Sequence, residues 1–219
     1  FTVSGSTITF ASNLVTGDVI NFIQILGSVL DLGVPSDSTV SLAKLTATGT
    51  KDATTFLRGD NTFAAPPLGG ITDADQWRLT ANIATNTSPI SANLERVDNT
   101  GFGYIGIGMS VSSGIWTFPS TGIYLIKLIG GYQTVSGDNV VITINVTTNN
   151  STYTEVAIAD ESSAGNLAGR GVCEFLFDVT DTANCKVKFN AFSINSGSLI
   201  MGNTDRNDTH FTFIRLGDT

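Results

Sequence analysis

The fold of this chain is decided by residues 113–126, which read SGIWTFPSTGIYLI. The apolar and aromatic residues at 115–118 are typical of a short strand. Pro119 ends that strand, because proline cannot donate a backbone hydrogen bond to a sheet. Gly122 then turns the chain, and residues 123–131 predict a long strand that runs through the middle of the domain.

Short apolar runs separated by turn residues continue on both sides of this stretch. Turn clusters occur at 98–101, 136–139 and 149–151. The candidate strands cover residues 77–82, 90–97, 104–111, 115–118, 122–132, 139–147, 154–160, 171–179, 185–192, 198–202 and 210–216. Regular short strands with such punctuation favour a β-sandwich or jelly roll over βαβ units. We find no convincing helical periodicity in the sequence.

The composition excludes two classes of protein. Only 14% of the residues are charged while 41% are hydrophobic, so charge-driven disorder is excluded. The net charge is −8 and the sequence has no basic stripe, whereas phosphate recognition requires a basic surface. We therefore predict no nucleic-acid partner. No run of 18 apolar residues occurs, so we predict no membrane insertion.

The sequence divides into three parts. Residues 1–33 carry alternating apolar positions around Gly-centred turns and are interpreted as a small antiparallel β module. Residues 34–70 are rich in Ser, Thr and Ala, are punctuated by proline and predict an extended connector. Residues 71–219 form the main head domain.

The head resembles the C1q-like and tumour-necrosis-factor-like jelly-roll superfamily. Residues 113–126 match the family's short strand, Pro-centred turn and long central strand, and residues 94–104 and 210–216 resemble its hydrophobic strand with an Asn/Gly turn and its closing aromatic strand. The resemblance covers about two thirds of the chain and departs from the family at 162–169 and in the short tail after Leu216. It implies a jelly-roll β-sandwich head that trimerises.

The first 70 residues resemble a different group, the repeated modules and connectors of bacteriophage tail fibres. The matching segments are 1–10, 16–20 and 56–67. Fibres of this kind are homotrimers, so both resemblances imply one three-fold assembly. The predicted fold class is all-β: a small antiparallel module, an extended connector and a C1q/TNF-like jelly-roll head, assembled as a homotrimer.

Residue types that carry chemistry are scarce. His210 is the single imidazole, and at the start of a predicted strand it is interpreted as a surface residue and not as a catalyst. Cys173 and Cys185 could face each other across a hairpin, but buried free thiols are the favoured interpretation.

Carboxylate pairs of the glycosidase kind were weighed as an alternative. Each pair lies in a turn-rich segment where Asp bonds nearby backbone N–H groups, and the sequence lacks the β-helix repeat of enzymatic tailspikes. The pairs are Asp73 with Asp75, Asp160 with Glu161, and Asp205 with Asp208. We therefore predict no catalytic residue and no enzymatic activity.

Metal ions and cofactors are not predicted either. Two Cys and one His at these spacings match no zinc pattern. The oxygen-rich segments at 138–139 and 203–208 suit calcium in ligand type, but their spacing does not match a calcium-loop motif. No residue is assigned to a metal, and calcium stays an alternative without support from ligand spacing.

The predicted function is that of a virion structural protein: a trimeric tail-fibre tip that binds the host surface without chemistry. Its predicted partners are two further copies of itself, other virion tail proteins and a host cell-surface glycan or protein, and its predicted location is the extracellular virion. The alternatives are a polysaccharide-degrading tailspike-type enzyme and a secreted C1q/TNF-like receptor ligand. A fibre on the capsid would meet the same physical demands as one on the tail.

Two sets of residues are predicted to carry this function. The candidates for the trimer interface or the core are Tyr124, Ile126, Leu128, Phe175, Phe177, Phe211 and Phe213. The candidates for receptor-contact loops are Phe102, Asp138, Asn139, Asn203 and Asp205.

Overall fold

The structure is a computed structural model that describes residues 1–5, 7–21, 41–66, 70–163 and 167–219. The chain forms two compact units, Phe1–Leu68 and Gly69–Thr219. The predicted three-part division at residues 33 and 70 stays a prediction, since residues 22–40 lie outside the described residues. Within the described residues, no helix combines the length and the hydropathy needed to cross a membrane.

In the first unit, the residues that the structure describes form two small hairpins. β1 (Thr2–Ser4) pairs antiparallel with β2 (Thr7–Thr9), as the alternation around Gly5 predicts. A 3₁₀ turn covers Leu42–Lys44, and β3 (Phe56–Leu57) pairs antiparallel with β4 (Phe63–Ala64). The strand pattern predicted at 19–25 lies largely outside the described residues, and residues 19–21 are not in a strand.

The described residues of the second unit contain eleven strands. They are β5 (Ala74–Leu79), β6 (Leu94–Arg96), β7 (Ser110–Ser112), β8 (Ile115–Thr117), β9 (Gly122–Thr134), β10 (Asp138–Thr147), β11 (Thr154–Ser163), β12 (Leu167–Val179), β13 (Lys186–Phe192), β14 (Leu199–Ile200) and β15 (His210–Gly217). Each of the eleven predicted segments overlaps one of them, so the all-β prediction is confirmed.

The segment predicted as a strand at 104–111 is the clearest correction. Only Ser110–Ser112 is a strand, and Ile105 forms an isolated bridge with Ala74. Gly106 and Gly108 both have φ of +76°, a conformation that interrupts an extended strand. Apolar content alone therefore overestimated the length of this strand.

The eleven strands form two antiparallel sheets. One sheet has the order β11-β10-β13-β8-β7, and the other has the order β12-β9-β15-β5-β6 with β14 paired to β9. The core between the sheets is built around fully buried Trp116, which lies edge-to-face on Phe189 at 6.0 Å between ring centroids. Phe211 and Phe213 contact the same indole at 5.9 and 5.1 Å. This packing uses the edge-to-face and tilted geometries that aromatic rings prefer.

Gly122 sits at the corner before the central strand, as predicted. Its φ is +142°, and a Cβ there would lie 2.5 Å from Arg215 Nε and from the carbonyl oxygen of Gly217. We expect Gly122→Ala to lower the free energy of unfolding by at least about 1–3 kcal/mol, the usual cost of a backbone conformation that only glycine adopts readily. Urea denaturation at a fixed protein concentration measures this.

Gly137→Ala is the matched control for that substitution. Gly137 also has positive φ, at +80°, but a Cβ there would have no atom within 4 Å. Gly137→Ala should therefore lower the free energy of unfolding by only about 1–2 kcal/mol, the cost of a left-handed backbone conformation for alanine. Equal losses for the two variants would contradict the steric role of the Gly122 corner.

Candidate functional site

The outer face of the second sheet, the face turned away from the core, carries a row of apolar residues. Strand register aligns Ile105 with Ala74, Ala74 with Ile214, Ile214 with Leu125, and Leu125 with Leu176. Leu176 is 57% exposed and Ile105 is 48% exposed. An apolar row across five adjacent backbone segments is typical of a surface that packs against another surface.

Two further rows complete this outer face. The next row is polar and contains Gln76, Thr212, Lys127 and Glu174. Gln76 Nε2 donates to Thr212 Oγ1 at 2.9 Å, so the two polar side chains partly satisfy each other. The third row runs from Arg78 through His210 and Ile129 to Val172. The outer face therefore combines one apolar row with a polar row and a row that is polar at Arg78 and His210 and apolar at Ile129 and Val172.

The residues predicted for the trimer interface or the core lie on the opposite face of this sheet. Phe175 is half-buried and packs against the core, while the other six are at most 5% exposed. The six are Tyr124, Ile126, Leu128, Phe177, Phe211 and Phe213. Because side chains alternate between the two faces of a strand, the outer face is formed by the residues between them.

A second feature is a cluster of loops held by Arg78. This guanidinium is fully buried and donates to Glu95 at 2.7 Å, to Asp98 at 2.5 Å and to Asn99. Asn99 Nδ2 in turn donates to the backbone oxygen of Asp205 at 2.8 Å. Arg78 therefore ties the turn at 98–101 to the segment at 203–208.

Three of the predicted receptor-contact residues lie in or beside this loop cluster. Asp205 is exposed, Asn203 and Phe102 are half-buried, and all three are outside strands. Asn203 Oδ1 accepts a 2.7 Å hydrogen bond from the Asp205 backbone N–H. The cluster thus presents a preorganised polar surface.

Asp138 and Asn139 lie in β10 and not in a loop, which corrects their predicted location. Asp138 is 4% exposed, and its carboxylate accepts hydrogen bonds from Asn195 Nδ2 at 2.5 Å and from the Asn139 N–H at 2.9 Å. Burial raises the pKa of this carboxyl, but hydrogen bonds from Ser198, Asn195 and Asn139 outweigh it, so the pKa lies below its ordinary value. Asp138 therefore acts in local structure, whereas Asn139 is exposed.

Asp75 is the centre of a buried polar network. Its carboxylate accepts hydrogen bonds from Trp77 Nε1 and the Met109 N–H, both at 2.8 Å. It also forms an ion pair with Arg96, whose Nε lies 3.0 Å from Asp75 Oδ1. The Arg96 guanidinium also lies over the rings of Trp77 and Tyr104, 5.0 and 4.6 Å from their centroids. Such a fully paired carboxylate is suited to a structural role.

The remaining chemistry-bearing side chains are separated from one another. Burial, followed by the charges of Arg170 and Lys127, lowers the pKa of His210. Cys173 lies on β12 and Cys185 lies directly before β13, and both are free thiols, as predicted; Cys185 is buried and Cys173 is half-buried. Burial, and next the charge of Glu174, raises the pKa of Cys173 to about 12, which disfavours the thiolate at neutral pH.

The structure assigns none of the residues that it describes to a metal ion. Within the parts of the chain that the structure describes, no group of three or more His, Cys, Asp or Glu side chains is placed to hold a metal ion. The calcium alternative for 138–139 and 203–208 stays a prediction.

Sequence reasoning missed the buried arginine and the buried carboxylate. Arg78 and Asp75 stand inside a strand pattern that includes Trp77 and Leu79. A charged residue inside an apolar strand could have predicted a buried charge, since such a residue must find a partner when the sheet packs. The identity of the partners requires the tertiary structure.

No protein-family model and no curated protein sequence matches this chain. Solved structures do match its fold. Eiger TNF from S. frugiperda aligns with a TM-score of 0.50 and 11% identity over 67% of this chain and 93% of that one. Murine APRIL at pH 5.0 aligns with a TM-score of 0.50 and 12% identity over 66% and 98%. The globular domain of zebrafish complement 1qA aligns with a TM-score of 0.46 and 10% identity over 67% and 99%.

The likeness at a TM-score of 0.50 shows the fold alone. The sheets of this chain match the folds of Eiger TNF and murine APRIL, which confirms the jelly-roll part of the predicted fold class.

Proposed function

We propose that this chain is a homotrimeric attachment protein that binds a surface ligand without catalysing a reaction. The observation that carries the proposal is the apolar row from Ile105 to Leu176 on the outer face of the β12-β9-β15-β5-β6 sheet, whose end residues are 48% and 57% exposed in the single chain. The central strand β9 of this sheet alternates apolar residues on both faces, with Leu125 outward and Ile126 and Leu128 in the core. A sheet that is apolar on both faces requires a covering surface on each side.

Copies of the same chain are the covering surface that best fits the chemistry of this face. The polar row beside the apolar row places Lys127 next to Glu174, so these two opposite charges lie together and do not repel an identical neighbour. Removing an exposed Leu or Val from water contributes roughly 1.5–3 kcal/mol. Val172 and Leu176 are both more than half exposed and would recover that energy in a trimer.

Attachment follows from having three heads on one particle. Three weak sites on a rigid trimer raise the effective concentration of each site, so modest contacts give useful avidity. The loops fixed by Arg78 and the exposed Asp205 supply hydrogen-bonding groups with little mobility. The partners of such a head are a host cell-surface glycan or protein.

The location on a bacteriophage tail fibre rests on the first unit. Its β1–β2 and β3–β4 hairpins lie in the segments whose sequences resemble fibre modules and connectors. On this basis we assign the chain to the distal part of the fibre in the virion, where it adjoins other tail proteins. A secreted C1q/TNF-like ligand is the second candidate, and the fold likeness to Eiger TNF and APRIL favours it.

The absence of catalysis is part of the proposal. Two of the carboxylate pairs considered from the sequence contain a carboxylate occupied by structural partners: Asp75 pairs with Arg96, and Asp208 with Arg206. An assay for new reducing ends on capsular or lipopolysaccharide substrates tests this, and sustained turnover would contradict it.

The assembly is tested by sedimentation equilibrium at micromolar concentration. We expect a mass of about three times the 23.0 kDa of one chain, because the outer face of each copy must be covered. A stable monomer, or a dimer with no further association, would contradict the trimer.

A further inference from the structure

We propose that a cavity in the segment between β5 and β6 binds one ring of a neutral saccharide. The cavity has a volume of about 220 Å³. It is lined by uncharged residues, namely Asn82, Ile83, Ala84, Thr85, Thr87, Ile90, Ser91, Ala92 and Asn93. This inference rests on the proposed attachment function and names the class of ligand.

The segment that forms the cavity is fixed to both sheets. Ile83 exchanges two backbone hydrogen bonds with Ile200 of β14, each of 2.9 Å. Thr87 exchanges two with Ala191 of β13, at 2.9 and 2.8 Å. Because the backbone is held on both sides, the cavity is formed before a ligand arrives, and binding costs little ordering of the chain.

The lining of the cavity excludes ionic ligands. Residues 82–93 contain no Asp, Glu, Lys, Arg or His, although the chain carries a net charge of −8. A phosphate, a carboxylate or an amine would lose water here and gain no opposite charge in return. An uncharged polar ligand pays no such penalty.

Hydroxyl and amide groups at the cavity are available to that ligand. Within the described residues, the side chains of Thr85, Ser91 and Asn93 make no hydrogen bond, and all three residues are exposed. Asn82 Oδ1 accepts from the Gly202 N–H at 2.9 Å, which leaves the Asn82 amide nitrogen to donate. These groups supply both donors and acceptors, as a sugar hydroxyl requires, since it also donates and accepts.

The apolar part of the lining suits the C–H face of a sugar ring. Ile83 and Ile90 are 9% and 1% exposed, and Ala84 and Ala92 add short side chains. A pyranose has hydroxyls around its edge and C–H groups on its faces, so it matches a cavity that combines both kinds of group. The volume is below the roughly 300–1,000 Å³ of larger ligand sites, which favours a single ring.

The cavity is separate from the surface proposed for assembly. Strands β14 and β9 lie between Ile83 and β12, which carries Val172 and Leu176. Ile200 pairs with Tyr132, seven residues along β9 from Leu125 of the apolar row, or about 23 Å in an extended strand. A trimer formed through the apolar row therefore leaves the cavity accessible.

The test uses the full chain and saturation-transfer difference NMR with the methyl glycosides of glucose, galactose and mannose at millimolar concentration. We expect at least one of them to bind saturably. The methyl uronide of the same sugar, which has a carboxylate in place of the hydroxymethyl group, should bind at least about tenfold more weakly, because its charge has no partner in the cavity. Monovalent probes keep the measured affinity independent of trimer avidity.

Asn93→Gly is the most informative variant. Asn93 has φ of +59°, a conformation that glycine adopts readily, so the substitution removes the amide and keeps the backbone. We expect it to weaken binding roughly two- to tenfold, the effect of one lost hydrogen bond. Ser91→Ala removes a hydroxyl at the same cavity and should have an effect of similar size.

Asn150→Gly is the matched control. Asn150 also has positive φ, at +52°, and its backbone N–H donates to the Asn184 oxygen beside the start of β13, whereas the cavity adjoins Ala191 near the end of that strand. Asn150→Gly should leave the affinity unchanged. Equal effects of Asn150→Gly and Asn93→Gly, no effect of either Asn93→Gly or Ser91→Ala, equal or tighter binding of the uronide, or no binding of any neutral glycoside would overturn the proposal.

Failure of this site can be distinguished from failure of the proposed function. Sedimentation equilibrium on the same samples reports the trimer, and binding of the labelled chain to immobilised lipopolysaccharide or capsule reports attachment. A chain that assembles and attaches while none of the neutral glycosides binds would overturn the cavity proposal alone.

Discussion

Leu176→Asp is expected to convert the trimer into a monomer, with the sedimentation mass falling from about three times 23.0 kDa to about 23.0 kDa. Leu176 ends the apolar row of the outer face and is 57% exposed in the single chain. The substitution removes roughly 1.5–3 kcal/mol of apolar burial at each copy. It also places a carboxylate without a partner in the contact, which costs several kcal/mol more.

The control for this prediction is Ile158→Asp. Ile158 is 52% exposed, and it lies on β11 of the other sheet, paired with Thr143. The two substitutions change the same class of side chain to the same charge at similar exposure, so they differ mainly in which sheet they alter. Dissociation by both variants, or by neither, would show that the outer face of the β12-β9-β15-β5-β6 sheet is not the assembly surface.

Asp75→Ala is expected to cause the largest loss of stability of any single change considered for this chain, about 3–5 kcal/mol. The substitution leaves the Arg96 guanidinium, Trp77 Nε1 and the Met109 N–H without their acceptor. Because the Asp75 side chain is only 1% exposed, water cannot fully replace the hydrogen bonds that its carboxylate accepts. Urea denaturation at one fixed protein concentration measures the loss, since assembly makes the midpoint concentration-dependent.

Two further variants make that result interpretable. Asp75→Asn keeps the shape and one acceptor oxygen, so it should lose less stability than Asp75→Ala. Asp178→Ala removes an exposed carboxylate on β12 and should change the free energy of unfolding by no more than about 0.5 kcal/mol. A loss of less than about 1 kcal/mol for Asp75→Ala would mean that the network around Arg96 is not coupled to folding.

The strands could be predicted because their signals are local. Alternation and turn residues predicted a segment overlapping each of the eleven strands described in the second unit, and Pro119 and Gly122 marked the corner before β9. The strand predicted at 104–111 was too long because Gly106 and Gly108 have positive φ, which the apolar content of the segment does not indicate. A sequence shows that glycine permits such a conformation but not that the chain adopts it.

The candidate site was less predictable, because it depends on groups that meet across the fold. Arg78 and Asp98 are 20 residues apart, Asp75 and Met109 are 34 apart, and Arg170 and Asp208 are 38 apart. No spacing rule joins such pairs, since strand order in a jelly roll is not chain order. The exposed loop residue Asp205 was predicted, whereas the arginines that organise its surroundings were missed.

The sequence by itself determined that this protein is built from strands, that its charge does not suit nucleic acid, and that its head resembles the C1q/TNF-like jelly roll. These properties follow from the composition and from the alternation of apolar and polar residues, both of which can be observed directly in the sequence. Only the tertiary structure decided which face of β9 became the core. Leu125 and Ile126 are both apolar. Alternation places them on opposite faces of the strand, but it does not show which of the two faces is buried in the core. The packing of Ile126 against the aromatic cluster around Trp116 buried one face and left the other available to a partner.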